Sequence, residues 1–281
     1  MATTPLILTA AMAAVTERRG SVDGVESHWL EAPVEGSHAP VLYVHGVPTA
    51  GWEWREFLQR TGGYAPDLPG FGSSDKLASF EYSIDGYARW LRAFVDLQGL
   101  ERFSLLVHDW GGVGLALAQA MPERIERLVV CDTVPLLPGY RWHWIARQWR
   151  RQVIGELAMG FTVKPTARVL LNRSNRDPLP ASFVDQAWEH FDHGTQRAIL
   201  KLYRSAPPEA LAAAGTRLGS LEAPALIVWG DRDPYITTDF AHAYAEALGG
   251  PATVRIAEDA GHWPWLDEPA LVDEIAGFLT A

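Results

Sequence analysis

The chain has 281 residues, 48% of them hydrophobic and 21% charged, which is enough for one large α/β domain or two small ones. Its formal net charge of −10 sets it against nucleic acid and anionic membrane surfaces as partners, because both repel an acidic protein. The one cysteine, Cys131, rules out an internal disulfide, and its apolar setting (LVVCDT) reads as a buried structural thiol.

In chain order, the apolar stretch Leu6–Val15 has no basic residue before it, while Arg18 and Arg19 follow it, the reverse of a secretory signal. No apolar run approaches the ~20 residues of a membrane-spanning helix. A cytoplasmic protein is expected. Continuous apolar runs predict strands buried on both faces at Val41–His45, Tyr64–Leu68, Ser104–Asp109, Leu128–Thr133, Ala225–Asp231 and Thr253–Glu258. Amphipathic spacing predicts helices over Tyr82–Gln98, Gly112–Met121, Asp239–Leu248 and Pro269–Leu279. Repeated βα units imply a mostly parallel, doubly wound sheet. From Pro135 to Gly219 the rhythm breaks: no buried strand is visible, and Trp142, Trp144, Trp149 and Trp188 stand among arginines and prolines. Connections in βα units run to about 2–6 residues, so this stretch is too long for a loop. The expected organisation is a core of residues 1–134 and 220–281 with a helical cap, 135–219, over the strand ends where such sheets bind ligands.

The strongest local signal is Leu105-Leu106-Val107-His108-Asp109-Trp110-Gly111-Gly112, a buried strand that turns sharply into a helix. Exposing one side chain on such a turn needs small neighbours, which Gly111 and Gly112 supply, and the exposed residue is Asp109. An N-cap aspartate is the alternative at this position. Val44-His45-Gly46-Val47-Pro48 ends an earlier strand, where the Val47 backbone N–H could join that of Trp110 in stabilising an oxyanion. His45, Val47 and Trp110, with Trp144 from the cap, are therefore the candidate oxyanion and substrate-binding residues. Val228-Trp229-Gly230-Asp231-Arg232-Asp233-Pro234 ends a late strand in two carboxylates, and Gly261-His262-Trp263-Pro264 follows the last one. Nucleophile, acid and histidine thus occur in the chain order of α/β-hydrolases. His108 reads as packing at a strand end. The other histidines lack metal-ligand spacing, so neither metal nor cofactor is expected.

The chain resembles the epoxide hydrolase and haloalkane dehalogenase branch of the α/β-hydrolase superfamily over nearly its whole length. The likeness is strongest in HGVPT, APDLPGFGSSDK, LLVHDWGG, WGDRDP and AGHWPWLDEP. It implies an α/β-hydrolase fold in which Asp109 attacks carbon and leaves an alkyl ester, which water activated by His262 then hydrolyses. Asp233, three residues after Gly230, stands at the usual place of the acid that orients the histidine. Asp132, after the strand preceding the cap, stands where some members carry it instead. Leu202-Tyr203-Arg204 resembles the segment that supplies a ring-opening tyrosine in epoxide hydrolases, and His143 is the candidate second donor, with Tyr140 behind it. Val47 stands where many dehalogenases carry a halide-binding asparagine, and it has no side-chain donor. Val107 looks more like the dehalogenases, and Trp110 and Val113 fill places where a carboxylate substrate would need arginines. An epoxide hydrolase acting on a small or medium apolar epoxide is expected, giving vicinal diols. The alternative is a haloalkane dehalogenase using Trp110 and a cap tryptophan. A ligand-binding relative without chemistry is a third reading, and a homodimer stays open.

Overall fold

The computed structural model describes residues 13–281, so the reading of Leu6–Val15 falls mostly outside the described residues. The chain runs through β1 (Thr16–Val22), β2 (Val25–Ala32), β3 (Val41–Val44), α1 (Arg55–Thr61), β4 (Gly63–Pro66), α2 (Ile84–Leu97), β5 (Phe103–Asp109), α3 (Val113–Ala120) and β6 (Ile125–Thr133). Six helices follow: α4 (Trp144–Trp149), α5 (Ile154–Gly160), α6 (Lys164–Leu171), α7 (Ala181–Glu189), α8 (His193–Ser205) and α9 (Pro208–Ala214). The chain then returns through β7 (Ala225–Gly230), α10 (Asp239–Ala247), β8 (Ala252–Ala257), α11 (Pro264–Asp267) and α12 (Ala270–Thr280).

The eight strands form one sheet in the order β1-β2-β4-β3-β5-β6-β7-β8. From β4 to β8 every pairing is parallel, and β2 meets β4 antiparallel. Along β5 successive side chains feed opposite faces: Leu105 and Val107 join one apolar cluster, Leu106 the other. Each such burial contributes about 1.5–3 kcal/mol. On α2 the spacing of Ile84, Tyr87, Leu91, Phe94 and Val95 turns one apolar stripe inward, and the Ser83 hydroxyl caps its start by accepting from the Gly86 N–H.

Two differences from expectation have physical reasons. The antiparallel hairpin β1–β2 was not predicted, because β1 is an edge strand whose residues are mostly exposed and charged, without an apolar run. Its one legible signal is Asp23-Gly24, a two-residue turn in which both residues have positive φ. At the other edge, β8 is half-exposed rather than buried on both faces. Among the described residues no helix is long and apolar enough to cross a membrane.

Candidate active site

The parallel strands deliver their C-terminal ends to one side of the sheet, beneath the helices that lie between β6 and β7. At the end of β5, Asp109 has φ 47° and ψ −122°, a strained conformation for a residue with a side chain. The turn can close only around glycines. A Cβ on Gly111 would lie 2.0 Å from the Val44 carbonyl oxygen, and one on Gly46 would lie 2.5 Å from Asp109 Cβ. The carboxylate that results is buried but faces a cavity. Its Oδ2 accepts from the Val47 backbone N–H at 2.9 Å, and its Oδ1 stands 3.7 Å from His262 Nε2.

His262 sits on the loop after β8 and is buried. Its Nδ1 meets Asp233 Oδ2 at 2.8 Å, and Asp233 Oδ1 accepts from the Tyr235 and Ile236 backbone N–H groups at 2.7 and 3.2 Å. Burial acts to lower the histidine, but the Asp233 carboxylate more than offsets it and holds His262 above its ordinary value. Of the two candidate acids, then, Asp233 bonds the imidazole. Asp132 lies beside them, buried, with its Oδ1 accepting from the Gly230 N–H at 3.1 Å. Burial, and after it the charge of Asp233, push Asp132 well above its ordinary value. Oxygen and nitrogen atoms of Asp132, Asp233 and His262 come within 4.8 Å of one another, a spacing that a cation could use. The donor chemistry does not fit one, because the facing atoms of Asp233 and His262 already bond each other.

The cavity has a volume of about 260 Å³ and an almost wholly apolar wall, with Trp149 of α4, Trp188 of α7 and Phe191 of the α7–α8 connection on the same wall as Asp109 and His262. Trp144 lines it too, but is 62% exposed, which places it at the rim. Among the polar groups on the wall, several are engaged. The Trp142 indole N–H donates to the Ala206 carbonyl at 2.9 Å, and the Tyr235 hydroxyl bonds Ser174 Oγ at 2.7 Å. The Tyr203 hydroxyl lies beside the Trp110 side chain. Burial first, then the Asp109 charge, raise Tyr203 well above the ordinary tyrosine value, so it stays a donor. His143 caps α4 through Nδ1, which accepts from the Ala146 N–H at 3.4 Å and leaves the proton on Nε2. Its pKa is pushed down to about 4, chiefly by burial and then by His262, so the ring is neutral.

The side chains of two expected contributors are placed elsewhere. His45 does not face the cavity: its Nδ1 donates to the Gly46 carbonyl at 2.7 Å, and its Nε2 accepts from the Leu68 N–H at 2.9 Å. It braces two strand-end loops, and both nitrogens are committed. Trp110 does not line the cavity either. Its ring stacks on Trp142 at 5.4 Å and meets Tyr203 edge-on at 5.1 Å, and its buried indole N–H meets no hydrogen-bond geometry among the described residues. Sequence reasoning missed Tyr235, whose ring packs on His262 at 5.0 Å, and Ser174, whose carbonyl accepts from the His262 N–H at 2.8 Å. It also missed Glu53, a carboxylate between two tryptophans whose side chain is wholly buried.

With the site assembled, comparison with known proteins gives its class. The alpha/beta hydrolase fold family matches residues 39–269. A haloalkane dehalogenase of Mycolicibacterium paratuberculosis is 30% identical over 230 residues, covering 74% of this chain and 72% of that protein. The crystal structure of haloalkane dehalogenase DbeA from Bradyrhizobium elkani superposes with a TM-score of 0.81 at 22% identity, over 95% of this chain and 98% of that one. Epoxide hydrolase CorEH superposes with a TM-score of 0.80 at 20% identity, over 94% and 98%. The chain belongs to the α/β-hydrolase fold family, in its branch of epoxide hydrolases and haloalkane dehalogenases. It is a hydrolase.

Proposed function

We propose that Asp109 attacks an electrophilic saturated carbon, leaving an alkyl ester, and that His262, oriented by Asp233, activates the water that cleaves it. The placement of Asp109 carries this reading: one oxygen rests on the Val47 N–H, and the other faces the imidazole nitrogen that Asp233 leaves free. Negative charge developing on the ester carbonyl oxygen would fall where Val47 already donates. The helices between β6 and β7 act as the cap, and the small apolar cavity suits a neutral, apolar substrate.

Carbon–halogen cleavage is the leading reading of the leaving group, which reverses the order expected from sequence. It is supported by haloalkane dehalogenase relatives that align with about three-quarters of the chain. Epoxide opening is the second reading, supported by the Tyr203 hydroxyl and His143 Nε2 on the cavity wall and by the lack of a side-chain donor at Val47. Paired assays of 1-bromohexane for bromide and 1,2-epoxyhexane for diol decide between them. Tyr203→Phe sharpens the test. If the substrate is an epoxide, losing the acid slows ester formation by about 10²–10⁴-fold. If it is a halide, ester formation hardly changes.

The two acids are separable as well. Asp233→Asn should slow turnover by up to about 10⁴-fold, the scale of removing the carboxylate that orients a catalytic imidazole. Asp132→Asn keeps the shape of a side chain that does not bond the imidazole, and turnover should stay close to wild type. Steady-state rates of the two variants check this, and the reverse ranking would transfer the role to Asp132.

A further inference from the structure

Trp52-Glu53-Trp54 places a carboxylate between two indoles in the short turn Gly51–Trp54 that follows β3. The Glu53 side chain has no exposure, and a buried carboxylate costs free energy unless charge or hydrogen bonds compensate it. Two residues do so. Glu53 Oε2 accepts from the Trp263 indole N–H at 3.3 Å, and Oε1 faces His108 Nδ1 at 3.8 Å, too far for a hydrogen bond; neither Oε1 nor Nδ1 has a hydrogen-bond partner among the described residues. His108 Nε2 in turn donates to the backbone carbonyl of His262 at 2.8 Å. The imidazoles of His108 and His262 lie 4.7 Å apart, and the Trp263 ring packs on His262 at 4.9 Å. Both groups that hold Glu53 therefore bear on one residue.

We propose that Glu53 and His108 form a buried positioning pair that holds His262 in place for the water-using half of the reaction. The role rests on the reading of Asp109 and His262 given above. A leucine would fill the site of Glu53 without the cost of a buried charge, so the packing alone gives no reason for a carboxylate there. Burial pushes Glu53 up, but the adjacent His108 more than offsets it, and the carboxyl stays below its ordinary value and charged. The other groups facing Glu53 are Thr49 and His45, whose two nitrogens are engaged elsewhere. His262 faces Asp233, Asp109, Asp132, His143 and Tyr235 on its other sides, so the pair bears on its backbone carbonyl and on the ring face toward His108. Attack by Asp109 needs no proton removed, so disturbing the pair affects the second half-reaction alone.

Rapid mixing with 1-bromohexane and 1,2-epoxyhexane, followed by intact-mass measurement of the ester, separates the two halves. Glu53→Gln is expected to form the ester at the wild-type rate and to hydrolyse it up to about 10²-fold more slowly, the cost of a misplaced catalytic group. His108→Gln, whose amide can still donate to the His262 carbonyl, should lose less than His108→Leu. This comparison decides the matter if Glu53→Gln does not fold. In substrate-free protein, the His262 Nδ1 proton should exchange with water faster in Glu53→Gln than in wild type, as read by nuclear magnetic resonance. Unchanged hydrolysis, both half-reactions falling together, or unchanged proton exchange would overturn the pair. If no ester forms on wild type or His262→Ala with either probe, the Asp109 reading fails instead, and the proton exchange still decides the role of Glu53.

Discussion

Asp109→Ala abolishes turnover of every substrate, by on the order of 10⁴–10⁶-fold, the scale of deleting a nucleophile. No neighbour can replace it. The other carboxylates of the site are Asp233, whose oxygens are committed to His262 and to two backbone N–H groups, and Asp132, which is buried and accepts from the Gly230 N–H. The fold should survive, because the elbow is closed by Gly46 and Gly111 and by the sheet around β5 rather than by the carboxylate. Alanine retains the strain of a positive φ at this position, so a small loss of stability accompanies the loss of activity. Far-ultraviolet circular dichroism like wild type with no product is the expected pair of results. Normal turnover would remove Asp109 from the chemistry.

His262→Ala stops the reaction halfway. Ester formation proceeds, because a carboxylate attacks without help from a base, but the imidazole that faces Asp109 and would activate water against the ester carbonyl is gone. Intact-protein mass spectrometry should show a stable adduct on Asp109. For an epoxide the added mass equals the whole substrate, and for a haloalkane it equals the alkyl group that replaces the carboxyl proton, with halide released. In the wild type, the same role fixes a pH dependence. Water activation needs the neutral imidazole, and His262 in the free enzyme is held above the ordinary value of about 6.5. Lowering the pH through that raised value protonates the base, so ester hydrolysis should fail before ester formation does. Esterifying Asp109 removes one of the charges that raise His262, which moves the hydrolysis midpoint part of the way back. An unmodified His262→Ala protein, mixed with a substrate that the wild type turns over, would mean that the histidine acts before attack.

Much of this site is legible in the sequence because its geometry depends on residue types with narrow roles. Asp109 stands out because only glycine fits beside it, and Gly46 and Gly111 each meet backbone or side chain within 3 Å of where a Cβ would go. His262 and Asp233 stand out because short loops after buried strands leave few side chains able to reach the same point. What stays hidden depends on direction. His45 precedes the same turn as Val47, yet its ring points away to brace Leu68, and nothing in HGVPT distinguishes the two orientations. Trp110 follows the nucleophile, but stacking on Trp142 removes its ring from the cavity wall. Glu53 and His108 meet across two neighbouring strand ends, and neither residue has a local signature that announces the other. The edge strand β1 lacks the apolar run that marks an interior strand, so only its turn could have revealed it.

The ester on Asp109 is the central claim, and the origin of one oxygen atom tests it most directly. With enzyme in excess over substrate, a single turnover is run in water enriched in oxygen-18. If water attacks the ester carbonyl carbon, the bond between the substrate carbon and the Asp109 oxygen stays with the product. The new hydroxyl of the alcohol or diol should therefore be unlabelled in that first turnover, and peptide mapping should find the heavy oxygen on Asp109. Heavy oxygen in the product of the first turnover, with Asp109 unlabelled, would show direct attack by water and contradict the account.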